Sequence, residues 1–287
     1  MNIPPVWFKV SCDCRDRRGR SFELTAWGWG TDQTHAQMDA AGKLDRLIAR
    51  VRAGEPFPDH YGYGTRPLRE EILETIPDDK APEPVAIITR NRYGAQVLNT
   101  ARLLFLDVDV SVPRPTFGRR LRGLFGAGGG VSLDSAVQGA LDALREALRR
   151  YGGASFRVYR TAAGLRAIAV DREFDPAGRE AKDLMTATGT DPAFARLCAA
   201  QNSFRARLTP KPWRLKVPLP PGQHPRQDDQ MKRQFAEWLA RYERASSNHA
   251  VCRYIESIGT ASPGPAARRL IELHDRLTRC TEQMPLA

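Results

Sequence analysis

LLFLDVDV, residues 103–110, is the most informative octapeptide in this 287-residue chain. Leu103 to Leu106 form an unbroken apolar run, the pattern of a central strand buried on both faces. Asp107 and Asp109 follow two residues apart, so both carboxylates project from one side of that strand. Two acids held together repel each other and call for a cation. Mg²⁺ or Mn²⁺ accepts oxygen ligands and bridges to substrate phosphates. Asp107 and Asp109 are therefore the candidate catalytic and metal-holding pair. The plainer alternative is two strand-end aspartates with a capping role.

Downstream, RPTFGRRLRGLFGAGGG reads as a Gly- and Arg-rich insertion. Ser132 then caps a helix with Leu133, Val137, Leu141, Leu144 and Leu148 on one face, stopped at Gly152-Gly153. SFRVYR and LRAIAVD read as two strands around the turn TAAG. Helices are expected over 178–188 and 192–201, and WRLKV, 213–217, reads as a further strand. Upstream, VWFKVSCDC and SFELTAWGW form a hairpin. A helix from about 34 to 53 follows, with Met38, Ala41, Leu44, Leu47 and Val51 as its apolar row. RPLREEILETI, 66–76, reads as a short salt-bridged helix, and VAIIT and AQVLN as strands flanking the turn Arg90–Gly94. After a Pro/Gly-rich linker, 229–246, 248–258 and 264–282 read as amphipathic helices.

The order strand, helix, strand, strand around DxD is what an RRM-like palm requires. Here the chain resembles the archaeo-eukaryotic primase superfamily, the primase-polymerases, over roughly residues 85–218. LLFLDVDV matches the family's hydrophobic strand ending in DxD. YRTAAGLRAIAV aligns with its Ser/Gly-rich turn and histidine strand: Thr161 and Gly164 fit the turn, while Arg166 stands where the family has histidine. Arginine pairs bidentately with phosphate but cannot act as a neutral imidazole. The family's third acid falls nearest to Asp171, which the resemblance implies as a further metal ligand, with Asp175 next. FRARLTPKPWRLKV has the flavour of the family's basic phosphate-holding segment, through Arg205, Arg207, Thr209, Lys211 and Arg214. Arg90, Arg160 and Thr161 complete the expected nucleotide and nucleic-acid contacts.

The resemblance implies an α+β fold: an RRM-like palm, antiparallel or mixed, with helices on one face. An N-terminal β-β-α module would span 1–80, the palm 81–218, and a helical C-terminal region 219–287. The implied function is metal-dependent nucleotidyl transfer, as in DNA primases and polymerases of replication. The alternative is a non-catalytic nucleic-acid-binding protein that retains the palm.

Charge points the same way. The formal net charge is +11. Residues 192–227 hold seven Lys and Arg without one acid, and 110–133 hold four arginines without one acid, together equal to the whole excess. Such concentration points to a polyanion: DNA or RNA, with a nucleoside triphosphate. A solvated basic surface is the bland alternative. Phe204 and Trp213 interleave with the cations, which suits base stacking.

The remaining signals mostly exclude. No run of 18 apolar residues argues for a membrane span, and MNIPPVWFKV does not read as a secretory signal. The five cysteines are odd in number and scattered, which points to a reducing, cytoplasmic setting rather than a disulfide framework. Trp27, Trp29, Cys12 and Cys14 read as core positions. Neither a Walker A loop, a GxGxxG fingerprint nor a Ser-His-Asp set is present. The C-terminal helices are a candidate surface for a protein partner.

Overall fold

The computed structural model describes residues 1–15, 19–56, 66–110, 133–151 and 154–287. The Arg/Gly insertion, Ser132 and the Gly152-Gly153 stop lie outside the described residues. Those that are described form an α+β architecture of six helices and three antiparallel sheets.

The first sheet is the hairpin β1 (Val6–Arg15) and β2 (Ser21–Gly30), with Trp7 opposite Trp29. Helix α1 (Gln33–Ala53) begins at Asp32, whose carboxylate accepts from His35 N at 2.9 Å. Its buried residues are Ala36 and Ala40, not the expected apolar row, and Met38 is 70% exposed. The reason is a backbone approach. A Cβ on Gly28 would lie 2.2 Å from Ala36 O and Ala40 N, so only the smallest residues fit where hairpin and helix meet.

The second sheet joins β3 (Glu71–Ile76), β4 (Ala86–Arg90), β5 (Gln96–Thr100) and β9 (Phe204–Arg207) in that spatial order. The helix expected over 66–76 is therefore strand β3. Its acids find their partners across the sheet rather than along a helix: Glu70 with Arg205 on β9, and Glu71 with Arg90 on β4.

The third sheet carries DxD. Strand β6 (Phe105–Asp109) leads to helix α2 (Leu133–Arg150), then to β7 (Phe156–Thr161) and β8 (Gly164–Ala169). Strand β8 lies between β6 and β7, antiparallel to both. That is a split β-α-β unit. The fourth strand, β10 (Cys252–Ile258), pairs with β7 and falls where a helix over 248–258 was expected. Its Cys252, Tyr254 and Ile258 join the core by strand pairing, with a register shift between Tyr254 and Glu256. Residues 212–215 are likewise a 3-10 turn, not a strand, because Pro210 and Pro212 remove ladder donors.

Helices α3 (Arg179–Ala187) and α4 (Pro192–Gln201) link the third sheet to β9. Helix α5 (Asp229–Ser246) and helix α6 (Pro265–Thr278) complete the chain. Cross-strand partners share a face, so Asp107, Arg166 and Tyr159 lie on one side, and Leu106, Ala167, Val158 and Glu256 on the other. Arg145 of α2 grips Glu256 at 2.7 Å, while His274 of α6 packs on Phe105 and Tyr159. The sheet thus carries a helix on each face. Strands β3 and β10 pair across the expected boundaries at 80 and 218, so the sheets tie the three segments together. Among the described residues no helix is long and apolar enough to cross a membrane.

Candidate functional site

Asp107 and Asp109 stand at the end of β6 opposite Arg166 and Gly164 of β8. Gly164 is required by the approach of the strands, because a Cβ there would lie 2.0 Å from Val108 O. Val110 N donates to Ala163 O at 2.8 Å and closes the TAAG turn against the acidic strand. Burial and the charge of Asp107 raise the pKa of Asp109, partly countered by Lys211.

Facing these acids are the cations of β9 and the loop after it. A cavity of about 490 Å³ is lined by Asp107, Arg166, Arg205, Arg207, Lys211 and Trp213, among others. A smaller one of about 50 Å³ adjoins it and adds Asp109, Thr161 and Arg214. Among the described residues, the side chains of Arg207, Lys211 and Arg214 make neither an ion pair nor a hydrogen bond. Burial and the charge of Arg166 hold Arg207 down at about 10. Burial, with Arg207 and Arg214, likewise lowers Lys211. Crowded cations that depress one another concentrate positive charge in the cleft. Trp213 lies at the rim, 48% exposed, edge-on to Tyr93 with centroids 5.3 Å apart.

Helix α5 holds this loop through a small core of Phe235, Trp238 and Tyr242. Tyr242 Oη lies 2.7 Å from both Thr209 Oγ1 and Pro210 O, and Trp238 Nε1 donates to Pro218 O at 2.7 Å. Thr209 Oγ1 also accepts from Gln96 N at 2.9 Å. The loop is therefore anchored at both ends, leaving the charged tips of Lys211 and Arg214 toward the acids.

Behind the cleft is a buried polar network. Arg166 is 2% exposed and donates through Nη1 to Arg207 O at 3.0 Å. The same nitrogen lies 3.3 Å from His274 Nε2. Its Nε has no hydrogen-bond partner and lies 3.7 Å from Asp107 Oδ1, a loose ion pair. His274 Nδ1 lies 2.9 Å from Asp275 Oδ1, which also accepts from Tyr159 Oη at 2.7 Å. A donating Arg166 on Nε2 fixes the proton on Nδ1. Burial drives the His274 pKa down to about 4, so the ring is neutral near pH 7. Burial alone would raise Asp275, but hydrogen bonds from His274 and Tyr159 hold it below the usual carboxylate range.

Six of the expected residues converge: Asp107, Asp109, Thr161, Arg207, Lys211 and Arg214. Arg166 reaches the cleft but is buried, a scaffold cation rather than an offered one. Arg205 lines the larger cavity with its charge already matched, donating to Glu70 Oε1 at 2.8 Å, Glu70 Oε2 at 2.9 Å and Asn99 Oδ1 at 2.5 Å. Arg90 is 8% exposed, donates to Gly94 O, and serves the β4–β5 turn. Arg160 faces the opposite side of the sheet and pairs with Asp134 at 3.0 Å. Asp171 accepts from Ser155 N at 3.0 Å at the far end of β8, so the third acid is not delivered. His274, Asp275, Tyr159 and Tyr242 are the supporting residues that sequence reasoning missed. Only a charged or hydroxylated residue among the apolar positions of a strand, for Tyr159, or of a helix, for Tyr242, His274 and Asp275, marks them in the sequence.

No protein-family model, curated protein or solved structure matches this chain.

The donor set bears on the metal. Among the described residues no group of three His, Cys, Asp or Glu side chains is placed to hold an ion. Two carboxylates on one strand face, one of them with a raised pKa, fit a hard cation that takes its remaining ligands from phosphate and water. They do not fit an all-protein cage.

Proposed function

We propose that the cleft binds a nucleoside triphosphate and performs nucleotidyl transfer on a nucleic acid, in the manner of primase-polymerases. One observation carries the reading: two carboxylates face three cations, Arg207, Lys211 and Arg214, whose side chains make neither an ion pair nor a hydrogen bond among the described residues. Asp107 and Asp109 would hold Mg²⁺ or Mn²⁺, which supplies charge neutralisation at the phosphates. The chain's own residues do the rest. Arg207, Lys211 and Arg214 bind and orient the phosphates. Arg166, fixed by Arg207 O and beside His274, places a positive charge near Asp107 without capping its oxygens. Trp213 offers a ring at the rim for a base. Phosphoryl transfer needs little covalent help from a protein, so positioning and charge suffice.

A second reading is a non-catalytic nucleic-acid-binding protein. The position of Asp171, turned to Ser155 N, favours it, because it leaves Asp107 and Asp109 without a third acid beside them among the described residues.

Incorporation of labelled nucleotide with Mg²⁺ or Mn²⁺, on a template with and without primer, separates the two. The enzyme reading expects incorporation that falls at least a hundredfold in Asp107→Asn while the variant stays folded. Undiminished incorporation in Asp107→Asn refutes it. No incorporation by the wild type, with salt-sensitive oligonucleotide binding lost in Lys211→Ala, selects the second reading.

A further inference from the structure

A second, larger cavity of about 1290 Å³ opens between the hairpin and α1. It belongs to the N-terminal module, outside the stretch that resembles primases. Trp7, Trp27 and Trp29 line it together with the cations Arg46, Arg50 and Arg66, and Glu23 is the sole carboxylate among its described lining residues. Arg50 is matched by Glu55 at 3.3 Å. The side chains of Arg46 and Arg66 are exposed and have no ion pair or hydrogen bond among the described residues.

This cavity adjoins the cleft: Arg69 and Gln223 line both. At the junction the Arg69 guanidinium stacks on Trp27, 3.9 Å from the ring centroid, and donates to Gln223 Oε1 at 2.7 Å. Arg69 Nε is buried without a partner. An aromatic floor with unmatched cations along its edge is the chemistry of a strand whose bases are free to stack and whose phosphates need neutralising. Duplex bases are already stacked on each other and offer only their backbone.

We propose that the N-terminal β-β-α module is a binding surface for single-stranded nucleic acid and extends the track leading into the cleft past Arg69. This deepens, and rests on, the reading of the cleft as a nucleotide site. The strand's phosphates pass Arg46 and Arg66, and its bases lie toward the tryptophan-lined floor.

The test is fluorescence anisotropy on the full chain with labelled oligonucleotides of 6 and 20 nucleotides, as deoxyribose and ribose versions. A fluorescent triphosphate with Mg²⁺ is titrated in parallel. In Arg46→Glu/Arg66→Glu we expect at least a tenfold loss of affinity for the 20-mer. The salt slope should fall by about 1.4, as for two single-strand phosphate contacts. Triphosphate and 6-mer binding should stay unchanged. Arg46→Lys/Arg66→Lys should retain 20-mer binding, which separates lost charge from lost fold. Wild-type affinity of the Glu variant for both 20-mers overturns the proposal and leaves the cleft reading standing. Tighter binding of a 20-base-pair duplex than of either single strand also overturns it. Loss of 20-mer binding in the Glu variant, when the wild type binds no triphosphate, supports the track and refutes the cleft reading instead.

Discussion

Replacing Arg205 with alanine separates the two roles open to a cation beside this cleft, holding phosphate or holding the fold. Arg205 and Glu70 are each 7% exposed in their side chains and joined by two hydrogen bonds of 2.8 and 2.9 Å. In Arg205→Ala, the Glu70 carboxylate keeps Thr89 Oγ1 at 2.6 Å but loses its counter-charge, and Asn99 Oδ1 loses its donor. Removing one partner of a buried ion pair costs about 3–5 kcal/mol, because the survivor stays charged in a poor solvent. With a urea m-value of about 2 kcal/mol/M, the unfolding midpoint falls by roughly 2 M. Glu70→Gln should cost a similar amount. The double variant Glu70→Leu/Arg205→Met should cost clearly less than the sum of its singles, since no buried charge is left unpaired. Urea unfolding followed by tryptophan fluorescence measures all three. Oligonucleotide binding by Arg205→Ala, measured without denaturant at a temperature where it is folded, should match the wild type. A cost below about 1 kcal/mol, together with a binding loss as large as that of Lys211→Ala, would refute the reasoning and return Arg205 to the phosphate site.

Other outcomes follow from single contacts. The His274 pKa of about 4 lies below its ordinary value of 6.5, so the unfolded chain takes up the proton first as pH falls. The stability is fully present above pH 6.5 and is lost through pH 4, by roughly 3 kcal/mol at most; urea midpoints of His274→Gln should lack this part of the acid limb that the wild type shows. Gly164→Ala places a Cβ against Val108 O, so it should lower the melting temperature by separating β8 from β6, at a cost of about 1–3 kcal/mol or more; an unchanged melt contradicts the strand approach. Trp213→Ala removes an exposed ring, so thermal stability should hold while oligonucleotide binding weakens by about 1–3 kcal/mol.

The local order of elements around DxD was legible because each carries its own period: the apolar run of β6, the row Val137, Leu141, Leu144 and Leu148 of α2, and the tight turn before Gly164. What misled was charge read along the chain instead of across it. RPLREE looks like a helix with internal ion pairs, yet Glu70 and Glu71 belong to arginines 135 and 19 residues away. Strand β10 failed for a related reason: its alternation is broken by the register shift after Tyr254, which mimics a helical period. Of the candidate cations, Arg207 at the end of β9, Lys211 in the loop after it and Arg214 in the 3-10 turn reach the cleft. Arg90, Arg160 and Arg205 sit in strands whose neighbours supply acids or carbonyls, and propensity alone does not reveal which neighbours those will be.

The presence of Arg166 opposite Asp107 has a physical consequence that can be followed through the structure. A cation at this position would ordinarily neutralise Asp107 outright and leave no ligand for a metal. Here the guanidinium is drawn back: Nη1 is committed to Arg207 O, with His274 Nε2 beside it, which leaves Nε 3.7 Å from the carboxylate. Coulomb attraction persists at that distance, but the hydrogen bond that would cap the oxygen does not form. A neutral His274 suits this arrangement, since its Nε2 can accept from Arg166 Nη1 at 3.3 Å, whereas a protonated ring would set a like charge beside the guanidinium. The burial that pushes His274 down to about 4 therefore does more than tolerate a core histidine. With Arg166 held back, the Asp107 carboxylate would be free to share a cation with Asp109 on the proposed reading of the cleft. Among the described side chains that line the smaller cavity, four cations, one of them held back, stand against two carboxylates, an excess of the sign that the proposed phosphate chain requires.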